Sequence, residues 1–513
     1  MTLIICLWAM AARLVALDES ALNGAFHYRY LQVVQAEVGG NIGVTQSLGT
    51  MLFDGQGGLS EGSRRSGYLV DERGFVTLPA PGSPHALDAR VSPDTNIILG
   101  SGTENSGRHD LFVAVRTSVA PTAPRGVYHA VVLLLPSNRT DAAVSTQASF
   151  DISEAQLQTA GDGTGNLTLP LSTNLPTRSY NIAVSGDGSV LIGSPRSGRG
   201  ILVAVAASEA APAGTYWTMA MALEGGRVSA SVGSLRVEGT RRIRLSQRWN
   251  SGGRAYDYVG VRPIGSPGAG RGTLVSASTS TEEPALTFAV RVPSFAGSGL
   301  FVNPHEVRHG ASDGPVGAPL SPGTLTTIGG RGFATARATA TGIPLPTVLQ
   351  GARVDVDASP AGLHSVEESL IRFVVPLSLR PGAGRIVVRN ATAASSAVRT
   401  RITAASPGIF TDPENGSAVA THADFSRVTS ASPAREEEVV VLFATGLGSQ
   451  RPAVTVWFGG RPAEVLYSGP AGLPGLDQVN VRIPAGLASS VPVPVTISDG
   501  ESFSDTATIA ITQ

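Results

Sequence analysis

The chain has 513 residues and a formal net charge of −1, and only 15% of its residues are charged, against about 25% in an ordinary globular protein. Because the net charge is close to zero, no overall field attracts nucleic acid or an anionic membrane. All 38 basic residues are arginine, which excludes chemistry that needs a P-loop or Schiff-base lysine. The single cysteine, Cys6, excludes a disulfide within the chain and cysteine-rich zinc sites.

The first segment of the chain predicts export. Residues 1–12 are apolar and Arg13 ends the run. This run is too short for a transmembrane helix, which needs about 20 residues, but it suits the apolar region of a signal peptide. The basic residues that usually precede such a region are missing, which a misplaced start codon would explain. We therefore predict a truncated signal peptide over residues 1–16, with a buried first strand as the alternative. The expected location is extracellular or at the cell envelope, with no transmembrane segment in the mature chain.

The rest of the chain predicts an all-β protein. Apolar runs are short, rich in Val, Ile and Thr, and bounded by Gly, Pro, Asn, Asp and Ser, whereas no long segment has helical periodicity. Residues 479–483 alternate apolar and polar side chains, as in a strand with one buried face. Residues 131–135 are continuously apolar and predict a strand that is buried on both faces.

Three similar units occupy the N-terminal 300 residues. Each opens with glycine and an aromatic residue two positions later, at Gly24, Gly126 and Gly214, so that the openings are 102 and 88 residues apart. In the first two units Val-Ser-x-Asp, at 91–94 and 184–187, is followed by two further apolar runs. This pattern predicts a strand, a tight turn containing Asp, a strand, a loop and a closing strand. We place β repeats at 20–118, 122–208 and 210–295, each a small barrel or sandwich; they are called the first, second and third units.

The last 210 residues contain a second repeat, which defines a fourth unit (300–405) and a fifth unit (406–513). Four residue pairs are each 108 positions apart, namely Gly351 and Gly459, Arg353 and Arg461, Pro376 and Pro484, and Ser396 and Ser504. Predicted strands recur every 8–12 residues, the spacing of an immunoglobulin-like sandwich.

Several short motifs of this half occur in the order of a known family. They are His309–Ser312, Ala318–Gly323, Ser406–Phe410, Val439–Gly448, Phe458–Ala463 and Asp477–Pro484. Over about residues 300–513 the chain resembles secreted acidobacterial proteins that carry the uncharacterised Solibacter-type C-terminal domain, which is similar to IPT/TIG immunoglobulin-like modules. The resemblance implies export and a β-sandwich, and it brings no activity and no catalytic residue.

The most specific chemical motif is the HExxH pattern at His305, Glu306 and His309. On a helix this spacing places both histidines on one face to hold zinc, with the glutamate as general base. Pro304 before the motif and Gly310 after it leave room for about one turn, so we expect residues 305–309 to be extended or a single turn. His305, Glu306 and His309 remain weak metal candidates. The sequence predicts no catalytic site, no cofactor site and no metal site beyond them.

Two other patterns resemble a serine nucleophile site and a calcium site. Residues 58–62 match the GxSxG elbow around Ser60, but the glycine-rich segment before it and Arg64, Arg65 and Gly67 after it predict a hairpin rather than a strand followed by a helix. The Gly/Asp stretches at 161–166 and 186–188 offer oxygen ligands for Ca²⁺, although turn chemistry explains them as well.

One basic cluster, Arg241–Trp249, contains an aromatic residue. A solvated strand face and a stripe for an acidic glycan are the two interpretations that fit an exported, neutral chain, and nucleic acid does not fit.

These observations predict a non-catalytic, exported protein with a structural or adhesive role and no cofactor. Its candidate partners are cell-surface proteins or polysaccharide. The first alternative is a glycan-binding protein that uses the aromatic residues Trp217, Trp249, Tyr256 and Tyr258. The second is a zinc metallopeptidase at the HExxH motif.

Overall fold

The computed structural model contains strands throughout and no α-helix among the residues that it describes, so the predicted all-β class is confirmed. Short 3-10 turns occur at Glu19–Ala21 and Ile152–Glu154. The described part of the chain contains no helix of the length and hydrophobicity that a membrane crossing requires. The described residues are 18–35, 42–70, 74–82, 86–102, 108–118, 120–135, 142–170, 173, 177–207, 214–224, 227–238, 242–251, 254–263, 268–270, 273–277, 285–292, 299–311, 319–412, 415–449, 453–487, 492–499 and 504–512. The predicted signal peptide, residues 1–16, lies outside them.

The first unit is one nine-stranded sheet. Its strands are β1 (Asn23–Gln35), β2 (Ile42–Asp54), β3 (Gly58–Glu61), β4 (Arg64–Gly67), β5 (Leu69–Val70), β6 (Phe75–Pro79), β7 (Ala86–Val91), β8 (Ile97–Ser101) and β9 (Arg108–Arg116). Their order in the sheet is β4-β3-β2-β1-β9-β8-β7-β6-β5, so two strands consecutive in the chain form its two edges. The sheet curls into a barrel around its own core, which contains the buried side chains of Phe26, Phe53 and Phe112.

The second unit repeats this plan with seven strands. They are β10 (Val127–Leu135), β11 (Val144–Asp151), β12 (Gln156–Thr159), β13 (Thr164–Thr168), β14 (Ser179–Val184), β15 (Val190–Pro195) and β16 (Arg199–Ala206). The order is β11-β10-β16-β15-β14-β13-β12, again with the first and last long strands paired at the centre. Its own core contains Tyr128, Phe150 and Tyr180.

The third unit contains β17 (Gly214–Glu224), β18 (Arg227–Glu238), β19 (Arg242–Ser251), β20 (Arg254–Pro263), β21 (Gly268–Gly270), β22 (Thr273–Ala277) and β23 (Ala285–Arg291). Their order is β21-β22-β23-β17-β18-β19-β20. The opening strand β17 pairs with the closing strand β23, as β1 pairs with β9 and β10 with β16.

The local features predicted for the repeat are present. Gly24, Gly126 and Gly214 have positive φ angles, which explains glycine at each opening. In the first unit Ser92 N donates to Ile97 O, and Ser92 Oγ accepts from Ile97 N. The second unit has the same pair of bonds between Ser185 and Val190. In both turns the serine hydroxyl donates to the Asp carboxylate two residues later, so the predicted tight Asp turn is confirmed.

The three N-terminal units also have a core in common, which we call the shared core. Alternate residues of β10 illustrate it, since Val132 points into the second unit's own core while Val131 and Leu133 join the shared core. The predicted burial of residues 131–135 on both faces is confirmed. The shared core contains, among others, Leu31, Val33, Leu111, Val113, Val115, Val131, Leu133, Ile192, Ile201, Val203, Trp217, Met219, Met221, Phe288 and Val290. The three units therefore depend on one another for burial, rather than each having only a core of its own.

The fourth unit is a sandwich of two sheets. Its strands are β24 (Phe301–His309), β25 (Leu325–Arg331), β26 (Ala338–Thr339), β27 (Arg353–Val356), β28 (Ser359–Pro360), β29 (Gly362–Val366), β30 (Leu370–Val374), β31 (Gly382–Arg389) and β32 (Val398–Ile402). One sheet has the order β24-β25-β30-β29-β26 and the other β28-β27-β31-β32. Val354, Phe373 and Ile386 lie in the core of this unit.

The fifth unit contains β33 (Gly408–Ile409), β34 (Ala420–Thr421), β35 (Ala434–Arg435), β36 (Val439–Thr445), β37 (Thr455–Phe458), β38 (Arg461–Pro470), β39 (Asp477–Arg482), β40 (Val493–Ser498), β41 (Asp505–Ile509) and β42 (Ile511–Thr512). They form the order β33-β36-β39-β38-β37-β40-β41 around a separate core. The last strand of that order also pairs in parallel with β20 of the third unit. The two predicted immunoglobulin-like sandwiches are confirmed.

Strand neighbours show how the fourth and fifth units correspond. The strands β25, β30, β29, β27, β31 and β32 occupy the places of β36, β39, β38, β37, β40 and β41. Pro376 follows β30 and Pro484 follows β39, so this predicted pair is correct. Ser504 N and Oγ bond the backbone of Ile497, and its counterpart is Ser395, which bonds Val388 in the same way, rather than the predicted Ser396.

The other predicted pairs are wrong. Gly351 precedes β27, whereas Gly459 follows β37 in a hairpin where the fourth unit has Asp357 and Ala358. Arg353 likewise opens β27, whereas Arg461 opens β38. The physical reason is that the connection between β25 and β27 is longer than the connection between β36 and β37, so a constant spacing aligns different strands.

Candidate functional site

The HExxH motif lies in a strand. Residues 305–309 belong to β24, so they are extended, one of the two conformations expected. Val302 pairs with Gly330 and Val307 with Ile328, so the strand bulges between them, and no helical turn places His305 and His309 on one face. The carboxyl group of Glu306 lies over Gly329 of the neighbouring strand. The arrangement of the weak metal candidates therefore contradicts the zinc-helix interpretation, although the side chain of His305 lies outside the described residues.

His309, a weak metal candidate, lies in a buried environment. It is buried between the fourth and fifth units, and its Nε2 donates to Ser406 O at 2.9 Å. Gly408 lies against the imidazole, where a Cβ would overlap the ring. Burial lowers the pKa of His309, and the bond to Ser406 O opposes this in part. A neutral ring that already uses Nε2 in a backbone hydrogen bond cannot also bind a metal through that atom.

Four of the six short C-terminal motifs have residues at this junction between units, namely His309, Ser321, Ser406 and Thr445–Gly446. Ser321 Oγ donates to Gly446 O at 2.9 Å, and Leu325 N donates to Thr445 Oγ1 at 2.9 Å. His364 Nε2 bonds Pro474 O at 2.8 Å. Sequence reasoning found these motifs but did not predict that residues of the two units would contact each other there. Their shared place indicates that they hold the two sandwiches together.

We expect His309→Ala to destabilise the chain by about 2 kcal/mol, because it leaves Ser406 O unpaired in a buried place. Substitution at an exposed loop position would cost no more than about 0.5 kcal/mol, so the larger expected loss reflects the burial of His309 and its bond to Ser406 O. Urea denaturation measures the change, with the half-buried His129→Ala as the control. A loss below about 0.5 kcal/mol would show that the junction does not need the ring.

Ser60 does not lie in a nucleophile elbow. It belongs to β3, where it pairs with Arg65 of β4 and with Leu52 of β2. The strand is followed by the turn at residues 62–63 and another strand, so no helix presents the hydroxyl. The predicted hairpin is confirmed.

The two Gly/Asp stretches are turns whose carboxylates have local donors. Asp162 Oδ1 accepts from the amide and the hydroxyl of Thr164 at 3.0 and 2.7 Å. These bonds lower the pKa of Asp162. Asp187 Oδ1 accepts from Ser185 Oγ and Ser189 N at 2.7 and 3.0 Å. Among the described residues, no group of three or more His, Cys, Asp or Glu converges as metal ligands would.

The aromatic residues proposed for glycan stacking are only partly described. Trp217 is buried in the shared core, where its ring packs edge-on against Phe75 at 4.9 Å between centroids, so it offers no open stacking face. The side chains of Trp249, Tyr256 and Tyr258 lie outside the described residues, as do those of the Arg241–Trp249 cluster. The backbone of residues 242–251 forms β19.

A cleft of about 590 Å³ opens at the seam of the first barrel, between β4 and β6. Glu19, Gln56, Ser66 and Thr77 supply its polar lining. The hydroxyl of Tyr68 lies within donating distance of Glu19 O and Leu22 O. This lining has hydrogen-bonding groups and one carboxylate, that of Glu19.

No protein-family profile and no curated protein sequence matches the chain. Solved structures that it is similar to include a Bacteroides ovatus mixed-linkage glucan utilization locus SGBP-B in complex with a mixed-linkage heptasaccharide, at 12% identity and a TM-score of 0.23, covering 58% of this chain and 60% of that one. Another is a gamma-CGTase from Alkalophilic bacillus clarkii, at 12% identity and a TM-score of 0.16, covering 70% of this chain and 40% of that one. A third is the plexin A4 extracellular region, at 10% identity and a TM-score of 0.15, covering 87% and 59%. The chain thus spans less than two thirds of the length of each, and at these TM-scores the likeness assigns no function.

Proposed function

We propose that this chain is a non-catalytic, exported scaffold with a structural or adhesive role at the cell envelope or outside the cell. The observation that carries the proposal is the shared core, which joins three β units into one body. The hydrogen-bonded junction of the fourth and fifth units extends the same design. Because buried contacts join the units, they are suited to a rigid spacer between two binding surfaces. They are less suited to a domain movement that closes around a substrate.

The placement of the apparent catalytic motifs supports the proposal. Ser60 lies in a hairpin and the HExxH motif in a strand, so neither has the helix that its chemistry needs. We propose in addition that residues 300–513 belong with the Solibacter-type C-terminal domains. The supporting observation is that four of the six motifs behind this resemblance have residues at one structural junction, namely His309, Ser321, Ser406 and Thr445–Gly446.

We expect the purified chain to show no turnover of peptide, ester or glycoside substrates, with or without added zinc. Ser60→Ala and Glu306→Gln should leave any background rate unchanged, because neither side chain is aimed at a reacting group. Reproducible turnover that one of these substitutions abolishes would contradict the proposal. Recovery of the chain only from the cytoplasm, with residues 1–16 intact, would contradict the proposed location.

A further inference from the structure

We propose that a small monovalent anion such as chloride binds between the first and second units, beside Arg29 of β1 and Ser194 of β15. Both side chains are almost fully buried, with 4% and 1% of their surface exposed. The site goes beyond the proposed scaffold role, because it gives the chain a bound ligand at the boundary between two of its units.

Arg29 is a buried cation without a carboxylate partner among the described residues. Its Nη1 donates to Tyr28 O at 2.8 Å and its Nη2 donates to Asn181 O at 3.2 Å, whereas Nε has no partner there. Burial lowers the pKa of Arg29 to about 10, and Tyr28 opposes this in part, so the guanidinium keeps its charge at neutral pH. A buried charge is costly unless an opposite charge compensates it, and two carbonyl oxygens supply only partial charges.

Ser194 provides a second unused donor at the same place. Its Oγ has no hydrogen-bond partner in the described part of the chain. Across the ladder of β14 and β15 it lies directly opposite Asn181, the residue whose carbonyl oxygen accepts from Arg29. Ser194 is on the face of β15 that also carries Val190 and Ile192, two members of the shared core. This face of the second unit is the one that receives Arg29.

The strand pattern of the first unit directs Arg29 toward that face. Arg29 alternates with the inward residues Tyr28 and Tyr30 and shares its side of β1 with Leu31 and Val33, which belong to the shared core. Strands β1 and β15 also lie against each other. Arg29 and Ser194 therefore approach the same boundary from facing strands of two units.

Other polar side chains at this boundary have partners within the chain. His27 bonds Thr50 Oγ1 and Asp162 O, each at 2.8 Å. Gln46 Oε1 accepts from Gly200 N at 2.8 Å. The boundary is thus built to satisfy its polar groups, and the unused donors of Arg29 and Ser194 are an exception that requires a ligand.

The chemistry of the two side chains selects an anion. Both unused groups donate hydrogen bonds and one of them is positively charged, so the complementary ligand accepts hydrogen bonds and carries negative charge. The near-complete burial of both side chains restricts the ligand to a small ion. A halide meets these conditions without any internal group that would need a partner of its own.

Bromide, which scatters anomalously, tests the site directly in crystals of the full chain grown with sodium bromide. We expect an anomalous peak within about 3.5 Å of both Arg29 Nε and Ser194 Oγ. Peaks confined to the protein surface would reduce bromide to an adventitious ion only and would overturn the inference.

Thermal unfolding of the full chain measures binding in solution. At constant ionic strength, replacement of gluconate by about 200 mM chloride should raise the Tm by at least about 2 °C, because a ligand that binds only the folded state stabilises it. An equal Tm in both salts would contradict a chloride site.

Two variants assign the chloride effect to its residues. Arg29→Met should abolish the dependence of Tm on chloride, whatever it does to the Tm in gluconate. Ser194→Ala should raise the chloride Kd at least about tenfold, because it removes a hydrogen bond to a charged group.

Each variant has a matched control. Arg116 is a half-buried arginine whose Nε, Nη1 and Nη2 all donate to oxygens of the first unit, so Arg116→Met should keep the chloride dependence. Ser231 is a buried serine without a described partner in the third unit, and Ser231→Ala should leave the chloride Kd within about twofold. Loss of the dependence in Arg116→Met as well, or its survival in Arg29→Met, would show a general salt effect and overturn the inference.

Discussion

Trp217→Ala should destabilise all three N-terminal units together, by about 3–5 kcal/mol. Trp217 is 2% exposed and lies in the shared core. Its ring contacts Phe75 of the first unit, and the Arg90 guanidinium lies over both rings, at 3.3 Å from the Phe75 centroid and 5.0 Å from the Trp217 centroid. Truncation to alanine leaves a cavity between units, which no single unit can close by relaxing.

Hydrogen exchange of the full chain, together with urea denaturation, measures this effect. Protection should fall in β9 of the first unit and in β16 of the second as well as in β17, since all three contribute to the shared core. The control is Trp457→Ala, which removes a half-buried indole from the outer face of the fifth unit and should cost less. Loss of protection confined to residues 214–291 would show that the units are energetically independent.

The second large expected effect is a loss of stability at acidic pH, caused by His109. His109 is fully buried, and neither of its ring nitrogens has a hydrogen-bond partner among the described residues. Burial lowers its pKa to about 4, against about 6.5 in an unfolded chain. The unfolded chain therefore takes up a proton first, so stability is complete above about pH 6.5 and falls as the pH drops toward 4. At about 1.4 kcal/mol per pKa unit, His109 should cost about 3 kcal/mol across this window.

Urea denaturation at a series of pH values between these limits measures the effect. His109→Leu should remove most of the slope, because the replacement fills the site without a titrating group. The remaining slope should come in part from His309, whose pKa burial also lowers. His129→Leu is the control at a half-buried position. If His109→Leu leaves the pH dependence of the unmodified chain unchanged, the assignment to His109 is wrong.

Protonation of His109 should lower the stability of all three N-terminal units. His109 belongs to β9, which pairs with β1 and packs against strands of the other two units. Its pairing partner on β1 is Val33, a member of the shared core. Protonation would place a charge close to the apolar surface that all three units share, and such a charge is costly without a partner.

Local chemistry explains which features of the fold were predictable. The Ser-x-Asp turns at Ser92 and Ser185 need only residues two to five positions apart, so the sequence pattern is sufficient to identify them. The run at 131–135 likewise predicted a strand with two buried faces. The pattern could not say what covers the second face, because that surface comes from other units.

The predicted pairs in the fourth and fifth units show a second limit. Pro376 and Pro484 were matched correctly, since each directly follows an equivalent strand. Gly351 and Gly459 were matched wrongly, because a longer connection before β27 changes the spacing. A fixed interval in the sequence measures chain length, whereas strand equivalence depends on hydrogen-bonded neighbours.

The sequence by itself predicted the all-β class, the repeated units, the sandwich spacing of the C-terminal half and the absence of a zinc helix at the HExxH motif. Each of these follows from side-chain alternation and turn residues, which act over a few positions. Only the tertiary structure decided that three units share one core and that His309 is buried against Ser406. It alone also decided that Arg29 of the first unit is buried against Asn181 of the second. The physical reason is that burial and the partners of a charge depend on which strands become neighbours, and residues far apart in the chain meet only through strand pairing and packing.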